Sequence, residues 1–140
     1  MSLLSRVVVV LSGSAIAGLG AAAPAAADGS LHGAIALSDS TGTVASAANY
    51  EDPGSADAAA IDRCGGGDCR VVLHFNDGCG AVAQSVDRRV AVGWGPTQVE
   101  AEQQARNVLG LSAPPFPDLG SAVPRPATIA LSACTANSAA

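Results

Sequence analysis

Three of the chain's four cysteines fall in one short stretch, DRCGGGDCRVVLHFNDGCGAVA, from Asp62 to Ala83, and the fourth is Cys134. The spacing of Cys64, Cys69 and Cys79 fits poorly with metal binding, because structural zinc sites come as two tight pairs of ligands and here there is at most one. A thioredoxin-like redox pair needs two residues between its cysteines, and Cys64 and Cys69 are further apart. An even set of cysteines in a short exported chain reads instead as two disulfides. Four cysteines allow three connectivities. The pairing Cys64–Cys69 with Cys79–Cys134 is favoured, because Gly65-Gly66-Gly67 lets the chain reverse between the first two.

Export is read from the first residues. Arg6 supplies a positive start, Val7 to about Ala23 is apolar or small, and Ala25-Ala26-Ala27 offers a cleavage site before Asp28. Residues 1–27 therefore read as a signal peptide and 28–140 as a single disulfide-stapled domain. Ser12, Gly13, Ser14, Gly18 and Gly20 dilute the apolar run, which argues against a membrane anchor. The expected location is secreted or in the cell envelope, with no membrane insertion once the signal is removed. The formal charge is −5, every basic residue is arginine, and no basic stripe exists, so nucleic acid is not an expected partner.

Two segments echo each other: GAIALS at Gly33 to Ser38 and GAVAQS at Gly80 to Ser85. Each is followed by a turn, a second apolar stretch and an alanine-rich segment of helical character, which suggests a tandem β-β-α-β repeat. Asp52-Pro53 reads as a helix cap followed by proline, with Ala56, Ala60 and Cys64 on one face. Thr97 and Glu100 form a capping box that opens a second helix, whose apolar face carries Ala101, Ala105, Val108 and Leu109. In CRVVLHF, Val71, Leu73 and Phe75 alternate with Arg70, Val72 and His74. Asn76-Asp77-Gly78 then signals a hairpin that would join both halves into one sheet. Val90, Val92 and Trp94 alternate in a further strand, and Ala127 to Cys134 reads as the last.

The resulting order is β-β-α-β-β-β-α-β. It predicts an α+β domain with a mostly antiparallel sheet and two helices on one face. Five prolines between Gly110 and Pro126 predict an extended surface loop. The residues after the cleavage point and the terminal TANSAA are expected to be frayed tails.

HGAIALS (His32 to Ser38), CRVVLHF running into DGCGAVAQS, and GWGPTQVEAEQQA (Gly93 to Ala105) resemble the family of exported bacterial proteins known as domain of unknown function 4189. The resemblance runs from about Leu31 to Leu109 and departs from the family pattern where the proline-rich loop begins. It implies a fold and export, but no reaction.

The residues assemble no reaction either. His74 could serve as a general base with Asp77 or a serine, but the reading preferred is a half-exposed strand residue. His32 reads as a surface residue. Ser38 and Ser85 lack a nucleophile elbow, and the glycines match no phosphate loop. No catalytic residue, cofactor or metal ligand is assigned. Trp94, the single tryptophan, either packs with Val90 and Val92 or anchors a partner from a sheet face free of helices, with Arg88 and Arg89 as its rim. The leading expectation is a non-catalytic module, inhibitor- or effector-like, that binds another protein. The alternatives are a secreted hydrolase using His74 and a structural cell-envelope protein.

Overall fold

The computed structural model describes residues 29–113 and 123–139. The expected signal peptide and the middle of the proline-rich segment lie outside them. The elements are β1 (His32–Ser38), β2 (Val44–Tyr50), α1 (Pro53–Cys64), β3 (Cys69–Asn76), β4 (Cys79–Gln84), β5 (Val90–Gly95), α2 (Gln98–Leu109), β6 (Leu111–Ser112), β7 (Arg125–Pro126) and β8 (Thr128–Cys134).

Both helices begin as their sequences dictate. The Asp52 carboxylate accepts the Ser55 backbone N–H at 2.8 Å with Pro53 in the first turn, and the Thr97–Glu100 capping box is fully formed. Gly65, at φ 71°, ends α1 in the left-handed conformation that glycine adopts without strain.

The α+β class holds, and every strand pairing described is antiparallel. The layering differs from the expected single sheet with both helices on one face. The strands form two three-stranded sheets, β2-β1-β3 and β5-β4-β8, plus the two-stranded β6-β7. Helix α1 covers the outer face of the first sheet, where Ala34, Ala36 and Ala47 meet Ala56, Ala60 and Cys64. Helix α2 covers the second, where Ala81, Ala83 and Ala91 meet Ala101, Ala105 and Leu109. Between the sheets lie Ile35, Phe75 and Val82, ringed by Val44, Val72, Leu73, Val92 and Leu131. The reason lies in the central strands. β1 and β4 are apolar on both faces and almost wholly buried. One face takes a helix, and the other would be left to water unless a second sheet covered it.

Small residues set the spacing. A Cβ on Gly93 would overlap the α2 backbone at Ala101 and Ala105, so the glycine allows the helix to lie directly on β5. The Phe75 ring occupies the space above Gly33 and Gly80, the equivalent first glycines of the two echoed segments. A Cβ on Gly80 would stand 2.6 Å from that ring.

Two local expectations are also revised. Asp77-Gly78 does not close a hairpin, because β3 and β4 belong to different sheets and the turn carries the chain from one to the other. A bulge in the β1–β3 ladder breaks the alternation of β3. Val71 therefore faces α1, while Leu73 and Phe75 face the second sheet.

The disulfides are Cys64–Cys69, which closes the link from α1 to β3, and Cys79–Cys134, between directly opposed residues of β4 and β8. On loop-closure entropy they contribute about 2 and about 4 kcal/mol. Beyond Cys134 the chain is held, contrary to the expected frayed tail. Thr135 is buried and its N–H donates to Gly78 O at 2.9 Å, while the Asn137 amide donates to Asp77 at 2.6 Å. The described ends of the proline-rich segment pair as β6 and β7, so its base is pinched shut.

Phe75→Ala would empty the space between the sheets without relaxing either glycine. It is expected to lower the free energy of unfolding by about 3–5 kcal/mol, read from urea denaturation with both disulfides intact.

Candidate functional site

Each central strand ends at a turn closed by two backbone hydrogen bonds on a serine. After β1, the Ser38 N–H donates to Thr43 O and the Gly42 N–H to Ser38 O, both at 2.9 Å. After β4, the Ser85 N–H donates to Arg89 O and the Arg88 N–H to Ser85 O, both at 3.0 Å. Each serine is buried and hydrogen-bonds an aspartate. Ser38 Oγ donates to Asp68 Oδ1 at 2.7 Å, with the Ser40 N–H on Asp68 Oδ2 at 2.7 Å. Ser85 Oγ donates to Asp87 Oδ1, whose other oxygen takes Arg89 Nε at 2.7 Å. The serine hydroxyl, before all else, holds each carboxyl down at a pKa of about 2. A base that weak does not deprotonate a serine near neutral pH, so these pairs work as braces of the turns.

Between the two turns lies a pocket of about 530 Å³, lined by Ser38 to Gly42 on one side and by Gln84, Ser85, Val86 and Arg88 on the other. Leu37 and Val90 form its inner wall and are shared with an apolar groove of about 350 Å³ that also touches Arg70, Val72, Val92 and Val108. This groove opens between β3 and β5, which are edge strands of their respective sheets. Arg70 is paired with Asp39 at 2.8 Å.

Trp94 is 60% exposed on the same side of β5 as Val90 and Val92, and its ring is not a core residue. Gly93 and Gly95, its neighbours, face α2. The Trp94 N–H points away from β4 and donates to Gln104 Oε1 at 2.6 Å. Arg88 and Arg89 sit at the other end of β5, about 20 Å from Trp94 along an extended chain. The structure therefore brings Arg88 to the pocket and leaves Trp94 at the far end of the edge. Arg89 is held by Asp87.

His74 Nε2 lies 2.7 Å from Asp57 Oδ1, and that buried oxygen has no other polar partner. Asp77 is far from serving it: its carboxylate takes Ser30 Oγ at 2.6 Å, the Leu31 N–H at 2.8 Å and Asn137, which draws its pKa to about 2. Among the described residues no histidine hydrogen-bonds Ser38 or Ser85, and no cluster of three potential metal ligands occurs. Asp57, Asp68, Asp87 and Gln104 are the partners that sequence reasoning missed: Asp57 and Asp68 act across elements distant in the chain, and Asp87 and Gln104 through local geometry that no motif marks.

Asp68, Asp77 and Asp87 all hold their protons less tightly than an ordinary aspartate, for which the value is 3.8. Their stabilisation is therefore complete above that value and is lost as pH falls toward about 2. Thermal unfolding followed by circular dichroism should show a melting temperature that is flat near neutrality and drops across this window. Asp77→Asn should lower the plateau and shrink the drop.

The two disulfides, and the absence among the described residues of a helix long and apolar enough to cross a membrane, are compatible with an extracellular protein. Three mycobacterial proteins, Rv1269c and MT1307 of Mycobacterium tuberculosis and Mb1300c of Mycobacterium bovis, are each 39% identical over 80 residues, or 57% of this chain. The match spans 62% of their own length. The NMR structure of Rv1813c from Mycobacterium tuberculosis shares the fold, with a TM-score of 0.52 at 23% identity, covering 95% of this chain and 98% of that one. The family model described as a domain of unknown function, DUF4189, matches residues 32–112, from the start of β1 to the end of β6, and the chain belongs to that family.

Proposed function

We propose that this chain is an exported, disulfide-stapled domain that binds another protein and carries out no reaction of its own. The observation that carries this reading is the exposed apolar edge. Trp94 and Val90 stand exposed on an edge strand beside an apolar groove that the half-buried Val92 lines, and Val108 and Leu111 add further exposed surface at and just beyond the end of α2. A tryptophan this exposed in a chain with so few aromatics is the kind of side chain that dominates protein interfaces. The polar groups that could have served catalysis are committed elsewhere, Ser38 and Ser85 to their aspartates and His74 to Asp57. Export is supported by the leader-like N-terminal sequence and by the disulfides.

Trp94→Ala should leave the melting temperature within a few degrees of wild type, since the ring is mostly outside the core. The same substitution should abolish recovery of a native partner by the immobilised domain, whereas His74→Ala should still recover it. An exported activity lost on His74→Ala in a folded protein would point to the hydrolase instead.

A further inference from the structure

The turn that returns to Ser38 from Thr43 is longer than the one that returns to Ser85 from Arg89, but the two share one backbone feature. The residue whose N–H returns to the serine carbonyl has positive φ in both: Gly42 at 72° and Arg88 at 67°. Glycine takes this conformation freely, while any other residue pays in stability. Arg88 adopts it without being a glycine, and such strain is often found at functional positions.

Arg88 is also electrostatically available. Of the two arginines lining the pocket and groove, Arg70 is paired with Asp39, while Arg88 has no carboxylate partner among the described residues. Asp39, whose charge is answered by Arg70, lines the same pocket together with the hydroxyl-bearing Ser40 and Thr41 and with Gln84.

From that pocket the surface runs onto the edge of β5. The hydrogen bond from the Ser85 N–H to Arg89 O sets the ladder phase, so that Val90, Val92 and Trp94 turn their backbone groups away from β4. The Trp94 N–H, capped by Gln104, agrees with that phase. The backbone of Val90 and Val92 thus faces an edge at which no further strand pairs among the described residues, with apolar side chains along the groove and a cation at one end.

We infer that this edge receives an extended peptide segment of a partner protein, added as a strand beside β5, with an acidic group of that segment held by Arg88 in the pocket. Strand addition supplies main-chain hydrogen bonds, the groove takes alternate apolar side chains, and Arg88 fixes direction and register through a charge-assisted hydrogen bond. The inference rests on the protein-binding reading and names the chemistry of the partner.

A phage-displayed library of random dodecapeptides, panned on the oxidised protein, tests it. Enrichment of alternating β-branched residues with an aspartate, glutamate or terminal carboxylate at one end is expected. Arg88→Glu should redirect selection to lysine and arginine at that position. Arg88→Gly should weaken the acidic peptides about tenfold, while raising the melting temperature by a few degrees, since glycine removes the strain. Peptides that show no acidic preference, or that bind Arg88→Glu equally well, would overturn the inference. If such peptides still depend on Trp94, the protein-binding reading stands without it. A library that yields no peptide dependent on Arg88 or Trp94, together with no recoverable native partner, would overturn both.

Discussion

The arrangement depends on burying central strands that are apolar on both sides. Ile35 and Val82 are wholly inaccessible, and so are the alanines that alternate with them in β1 and β4. One helix can cover only one face of such a strand. Laying the two sheets against each other covers the remaining faces of both with the same few side chains, Phe75 foremost. The glycines at positions 33 and 80 are part of this device, because each leaves the volume that one shared ring fills. Alanine does the complementary work outside, where small side chains let each helix approach its sheet closely enough to exclude water.

With the core divided into two sheet-and-helix halves, the joint between them has to be held. That joint is the Asp77-Gly78 turn, and it draws in both described ends of the chain. Asp77 takes hydrogen bonds from Ser30, Leu31 and Asn137, and Gly78 O accepts from Thr135. The Cys79–Cys134 disulfide begins in the next residue and fixes the last strand beside the first of the second half. A small core is marginal by surface-to-volume scaling, and a cross-link over a long loop is the most effective addition to it.

The sequence made its local features plain. Asp52-Pro53, the Thr97–Glu100 box and the Ala56–Ala60–Cys64 face require only residues a few positions apart, and each is present in the structure. Layering was not legible. Asn76-Asp77-Gly78 is as good a hairpin signal as a short segment can carry, and local turn chemistry does not state whether the strands it joins will pair. The cue was the two-sided apolar character of GAIALS and GAVAQS, which calls for cover on both faces and outranks the turn. The bulge in β3 was hidden for a similar reason: CRVVLHF alternates well enough that only its pairing with β1 displaces Val71. At the site, the equivalence of Ser38 and Ser85 could be read from the echo. Their carboxylate partners could not, because Asp68 approaches from another connection and Asp87 from an unequal turn.

The two sides of the sandwich are finished differently. On one side β2 and β8 adjoin, and the Ala136 N–H donates to Asn49 Oδ1 at 2.6 Å, so the C-terminal residues close that gap. On the other side β3 and β5 face each other across a groove, and among the described residues the Gln104 side chain covers the outward amide of Trp94. An exposed edge strand is a hazard in any soluble protein and is normally blunted by charge, proline or a covering segment. Here valines, a tryptophan and an arginine in left-handed conformation stand on it instead. Val92 packs inward against the layer between the sheets, so on this edge it is Val90, Trp94 and Arg88 that stand outside the packing, and the positive φ at Arg88 is a cost that the fold alone does not require.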